Sequence, residues 1–146
     1  MNKREENFYL KVRKNITNWL SDNANFDYKW KEYLLVVPDI FYLLVKLMQD
    51  PDVPKGKKIK LVTAIAYFIS PIDILPEAIL GPIGYLDDLG IAAYVLNDII
   101  NTVDPKIVKR NWIGDVDILI LIKKILINID KIIGKGIWDK VRGKVE

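Results

Sequence analysis

The chain has no histidine and no cysteine among its 146 residues. Without cysteine there can be no disulfide, thiolate metal site or cysteine nucleophile. Without histidine the usual general base is missing, along with the commonest transition-metal ligand and any Ser-His-Asp triad. Catalysis would fall to carboxylates, lysine or tyrosine, so an enzyme is the less favoured expectation. The N-terminal MNKREENFYL lacks a long apolar stretch behind its basic residues. No signal peptide is visible, and a cytoplasmic location is the default. Nor is there a nucleic-acid motif or a basic run interleaved with aromatics, so no nucleic-acid partner is expected.

What is present is apolar and unevenly charged. Hydrophobic residues make up 51% and charged residues 28%, a balance that argues against disorder at a length suited to one domain, 1–146. The net charge of +3 hides three blocks. Residues 53–69 hold four lysines and no acid, 70–103 hold five acids and no base, and 104–146 hold ten bases against six acids. Such asymmetry favours an anionic partner for the basic faces, with a membrane surface ahead of nucleic acid.

Helical periodicity dominates. Phe8, Val12, Ile16, Trp19 and Leu20 form one stripe, ended by the cap-prone SDNAN at 21–25. A second helix is expected from near Tyr28, with Pro38 either kinking it or opening a new one. Around it Val37, Ile40, Phe41, Leu44, Val45 and Met48 recur at threes and fours. After the connection 49–58, with Asp52 as cap and Pro54 just inside the next helix, Ile59, Val62, Ile65, Ala66 and Ile69 predict a further buried stripe that Pro71 ends. Tyr85, Leu89, Ala92, Leu96, Ile99 and Val103 form a packing seam, and Asp104-Pro105 ends it and restarts the chain. VDILILIKKILINIDKII at 116–133 sets Asp117, Lys124, Asn128 and Lys131 on a narrow polar stripe beside Lys123. No alternating strand pattern or internal repeat appears. The expectation is an all-α, compact bundle of about five to seven helices.

Two segments bear on membranes. Residues 61–86 are long and apolar, but Pro71, Asp73, Pro76, Glu77 and Pro82 interrupt them. Ionisable groups near the centre of a spanning helix are costly, so two short helices in a buried or re-entrant hairpin fit better. The 116–133 segment is either a core helix, the favoured alternative, or an interfacial one. In the second case Lys123, Lys124, Lys131 and Lys135 are the candidate lipid or anion contacts.

The acids Asp73, Glu77, Asp87 and Asp88 fall within sixteen positions. Glycine and proline at 81–84 reverse the chain, which brings Asp87 or Asp88 back toward Asp73. Oxygen ligands without imidazole or thiolate suit Mg²⁺, Mn²⁺ or Ca²⁺. The favoured alternative is structural: Asp73 capping a helix, Asp87 and Asp88 in the first turn of another, and lysines 55–60 pairing with them. Ser70 has no activating base and is a poor nucleophile.

The pattern Tyr67-x-x-Ser70-Pro71-x-Asp73-Ile74-Leu75-Pro76, followed by Gly84-Tyr85-x-Asp87-Asp88, resembles the bacterial YkvA-like family, domain of unknown function 1232. The resemblance runs over roughly residues 36–100, which it marks as a family core, with 104–146 as an amphipathic basic extension. It implies a helical fold, frequent membrane association and no established reaction. Tyr67, Pro71, Asp73, Pro76, Glu77, Gly84, Asp87 and Asp88 enter as family-pattern residues, and Glu77 departs from the family's aspartate. The leading expectation is a membrane-associated interaction or scaffolding module, peripheral or re-entrant, with an anionic membrane surface or a protein as partner and an oligomer as an open outcome. A divalent-metal site with a hydrolytic or regulatory role and a soluble partner-binding bundle are the alternatives.

Overall fold

The computed structural model describes residues 3–22, 28–69 and 85–128, and among these every regular element is helical. There are six: α1 (Lys3–Asp22), α2 (Tyr28–Gln49), α3 (Lys55–Ile69), α4 (Tyr85–Thr102), α5 (Pro105–Asn111) and α6 (Ile118–Ile127). The all-α expectation is met.

Helix α2 is the hub, touching α1, α3, α4 and α5. Its sequence explains why. Tyr33, Leu34, Val37, Ile40, Phe41, Leu43, Leu44, Val45 and Leu47 are all buried, so the helix is apolar round most of its circumference and needs neighbours on several sides. The helix runs unbroken through buried Pro38, although the ring removes one backbone donor. Helix α1 lays Val12, Ile16 and Leu20 against α2. Phe8 meets Phe41 at a ring separation of 4.8 Å, and Phe41 meets Phe68 of α3 edge-on at 5.8 Å. Phe41 thus sits at the point where three helices converge.

The expected seam on α4 is also present: Leu89, Ala92, Leu96 and Ile99 are buried, with Gly90 and Ala93 buried beside them. At the Asp104-Pro105 restart, Asp104 caps α5 by accepting from the Lys106 N–H at 2.9 Å, and Pro105 takes the first helical position.

Three sequence expectations need correction. The first concerns α3, whose buried residues are Leu61, Ala64 and Phe68, while Ile59, Val62 and Ala66 of the predicted stripe are exposed. Both sides of this helix are apolar, so periodicity could not choose between them. Second, Pro54 lies just outside α3, its carbonyl accepting from Lys57 and Lys58, and the turn is organised by Asp50, which accepts from the Asp52 N–H at 2.9 Å. Third, Asp117 is not a member of a polar stripe inside a helix beginning at 116. It is the N-cap of α6, accepting from the Leu119 and Ile120 N–H groups at 2.9 and 3.2 Å.

Candidate functional site

In the sequence the proline–acid segment joins α3 to α4. Lys57, near the start of α3, donates to Asp98, near the end of α4, at 2.8 Å, and Lys60 reaches the same carboxylate at 3.3 Å. These contacts tie the start of α3 to the C-terminal part of α4. They also hold the Asp98 carboxyl below its ordinary range, chiefly through the Lys57 hydrogen bond. Asp98, which the charge pattern had not singled out, is thus the partner of Lys57 and Lys60 among the described residues, while the acids of 73–88, with which lysines 55–60 were expected to pair, have side chains outside them. Tyr67 is in the last turn of α3, and Asp87 and Asp88 are the third and fourth residues of α4. The side chains of those three residues, and all of Pro71, Asp73, Pro76, Glu77 and Gly84, lie outside the described residues. First-turn carboxylates complement the positive end of a helix, and the backbone positions of Asp87 and Asp88 suit that role. Among the described residues no group of three acids could hold a metal ion.

Lys123 and Lys124 are exposed on α6, whereas Lys131 and Lys135 lie outside the described residues. The broad apolar face of α6 is mostly spent on the core, with Ile118, Leu121, Ile122 and Ile125 buried. Two isoleucines face outward instead: Ile120 is 55% exposed and Ile127 82%. Seven residues apart, they share one face with the two lysines. The preceding loop is held by the Trp112 indole N–H, which donates to the Val116 carbonyl at 2.8 Å, and Ile113 and Val116 within it are exposed. No helix among the described residues is long and apolar enough to cross a membrane.

One polar cluster escaped the sequence reading. Asp50, at the end of α2, is only 7% exposed and is the single buried charged residue among those described. Arg110 at the end of α5 grips both its oxygens, with Nη2 2.6 Å from Oδ1 and Nε 3.0 Å from Oδ2. Asn111 adds a bond at 2.8 Å, and Arg110 also reaches Asp52 at 2.7 Å. The Arg110 hydrogen bonds hold the Asp50 carboxyl far below the usual carboxylate range; burial opposes them, and Asn111 and the Asp52 N–H assist. A carboxylate so fully engaged neither accepts a proton at neutral pH nor has a free edge for substrate. It is a clasp. A turn rich in Asp and Pro hinted that residues 50–54 are ordered, but no spacing rule joins Asp50 to a residue sixty positions away.

The described residues therefore define a small all-α bundle whose ordered polar contacts are structural. Within it, the family described as "Protein of unknown function (DUF1232)" matches residues 57–94, so that segment bears the expected family pattern on a span narrower than 36–100. The match takes in all of α3 but its first two residues, the connection and the first half of α4. An "Uncharacterized protein ORF9" of Methanothermobacter thermautotrophicus is 26% identical over 113 residues, covering 77% of this chain and 77% of that protein. This relative is archaeal, so the likeness is not confined to the bacterial setting that the resemblance implied. No solved structure matches.

Proposed function

We propose that the chain is a non-enzymatic interaction module that works at an anionic membrane surface, peripherally rather than by spanning it. The observation behind this is the outer face of α6, where Ile120 and Ile127 point away from the core between Lys123 and Lys124. Exposed isoleucines at this spacing gain little from water, and a lysine can bury its stem while its ammonium stays at headgroup level. Each lysine near an anionic surface contributes about 1 kcal/mol, and the effect fades within a Debye length. Lys131, Lys135, Lys140, Arg142 and Lys144 follow in the sequence and add to the attraction. Two isoleucines and a few lysines give reversible, salt-sensitive binding rather than permanent anchoring.

The purified protein is expected to co-float with phosphatidylglycerol-containing vesicles, to release at high salt, and to lose most of its flotation on Lys123→Glu, Lys124→Glu and Lys131→Glu together. Absence of flotation on every lipid composition tested would refute the proposal. The co-purification of a tight protein partner without any lipid association would favour a soluble partner-binding bundle instead.

A further inference from the structure

Helix α3 presents two apolar faces, and only one is used. Leu61, Ala64 and Phe68 are buried, and Lys57 beside them is tied to Asp98. On the opposite side Ile59 is 69% exposed and Val62 50%, with Ala66 also exposed. Lys55 leads this outer row at helical spacing, and Lys58 flanks it. An aliphatic row on a helix is better placed against an interior or another apolar phase than in water, yet this one has no cover among the described residues.

The charge of α3 says what kind of cover fits. Residues 53–69 contain four lysines and no acid. Asp98 neutralises Lys57 and Lys60, whereas Lys55 and Lys58 make no ion pair among the described residues. They also sit in the first turn, where the helix dipole is positive and a cation is unfavourable. An anionic surface would relieve both costs, and the aliphatic side chains one to three turns further on would enter the acyl boundary. A second copy of the chain fits less well. A row of three small aliphatic side chains falls far short of the roughly 800 Å² per partner that a specific protein interface buries, whereas a bilayer sets no such threshold.

We infer that the outer face of α3, formed by Lys55, Lys58, Ile59, Val62 and Ala66, is a second membrane-contact surface, which docks the DUF1232-matching segment itself on anionic lipid. This rests on the membrane reading above and assigns contact to a part of the chain separate from α6.

The absence of cysteine permits a direct test on the full chain. An environment-sensitive fluorophore is attached at Val62→Cys, with a control probe at Asn18→Cys on the exposed side of α1. Phosphatidylglycerol-containing vesicles are expected to blue-shift the Val62 probe and raise its emission several-fold, and lipids brominated on the acyl chain are expected to quench it. The control should not respond. Ile59→Ser with Val62→Ser should weaken vesicle binding several-fold with an unchanged helical spectrum. A protein that floats while its Val62 probe stays water-like would overturn the α3 assignment and leave the α6 proposal standing. No flotation at all would overturn both. A blue shift that rises with protein concentration in the absence of lipid would show that a second copy covers this face, and would overturn the assignment in favour of a dimer.

Discussion

Replacing Asp50 by asparagine keeps the shape of the side chain and removes its charge. In the native fold both carboxylate oxygens are engaged by Arg110, with further bonds from Asn111 and the Asp52 N–H, all between 2.6 and 3.0 Å. A hydrogen bond to a charged group is worth about 1.5–3 kcal/mol net, and breaking a buried ion pair from one side costs about 3–5 kcal/mol. The Arg110 head group is about half exposed and would rehydrate, which places the cost for Asp50 near the lower end, about 2–3 kcal/mol. In a domain of this length that corresponds to about 6–9 °C in Tm, measured by far-UV circular dichroism. The pH dependence gives a second readout. The folded carboxyl is held below its ordinary value of 3.8, so its contribution is complete above that pH and drains away as pH falls toward the folded value. Asp50→Asn should therefore flatten the acid limb of the stability profile below about pH 4. Asp98→Asn, which removes a partly exposed pair with Lys57 and Lys60, should cost only about 0.5 kcal/mol. If Asp50→Asn melts within about 1 °C of the parent, or leaves the acid limb unchanged, the clasp contributes no net stability and the reasoning fails.

Other substitutions test packing and the acids. Gly114→Ala would drive a methyl into the Trp112 indole, so the 112–117 loop must move, at about 1–3 kcal/mol. Gly56→Ala meets nothing within 4 Å and should instead stabilise α3 by about 0.5–1 kcal/mol in urea titrations. Phe41→Ala removes the ring between Phe8 and Phe68 and should cost about 3–5 kcal/mol by the same assay. Asp87→Asn with Asp88→Asn should lower stability through the helix dipole by about 0.5 kcal/mol each, read as a modest fall in Tm. Millimolar Mg²⁺, Mn²⁺ or Ca²⁺ that raises the parent Tm but not that of the double variant would instead establish a carboxylate metal site.

Much of this architecture was legible in the chain, for a physical reason. Where a helix has one apolar face, as in α1 and α4, period alone points to Val12, Ile16 and Leu20 or to Leu89, Ala92, Leu96 and Ile99. Local chemistry likewise announces itself: Asp104-Pro105 reads as cap and first turn because both interactions lie within two residues. The buried side of helix α3 was not legible because its aliphatics fall on both sides, and the choice was made by partners elsewhere, α2 and Asp98. Asp50 was illegible for a related reason, since its partner Arg110 is remote in sequence and unremarkable among 22 bases. The candidate lipid lysines divide the same way. Lys123 and Lys124 stand on an exposed face, as their stripe suggested, but the sequence could not show that Ile120 and Ile127 stand with them.

The Asp50–Arg110 contact closes a loop of sixty residues. Closing a loop of that length carries a chain-entropy cost that grows only logarithmically with its length, and it requires α2 through α5 to be nearly in place beforehand. Such a contact belongs late on the folding route. An interaction absent from the transition state slows escape from the native basin without hastening entry. The clasp is therefore expected to act as a brake on unfolding: in stopped-flow experiments Asp50→Asn should raise the unfolding rate and leave the refolding rate nearly unchanged, and a slowed refolding rate instead would place the contact in the transition state.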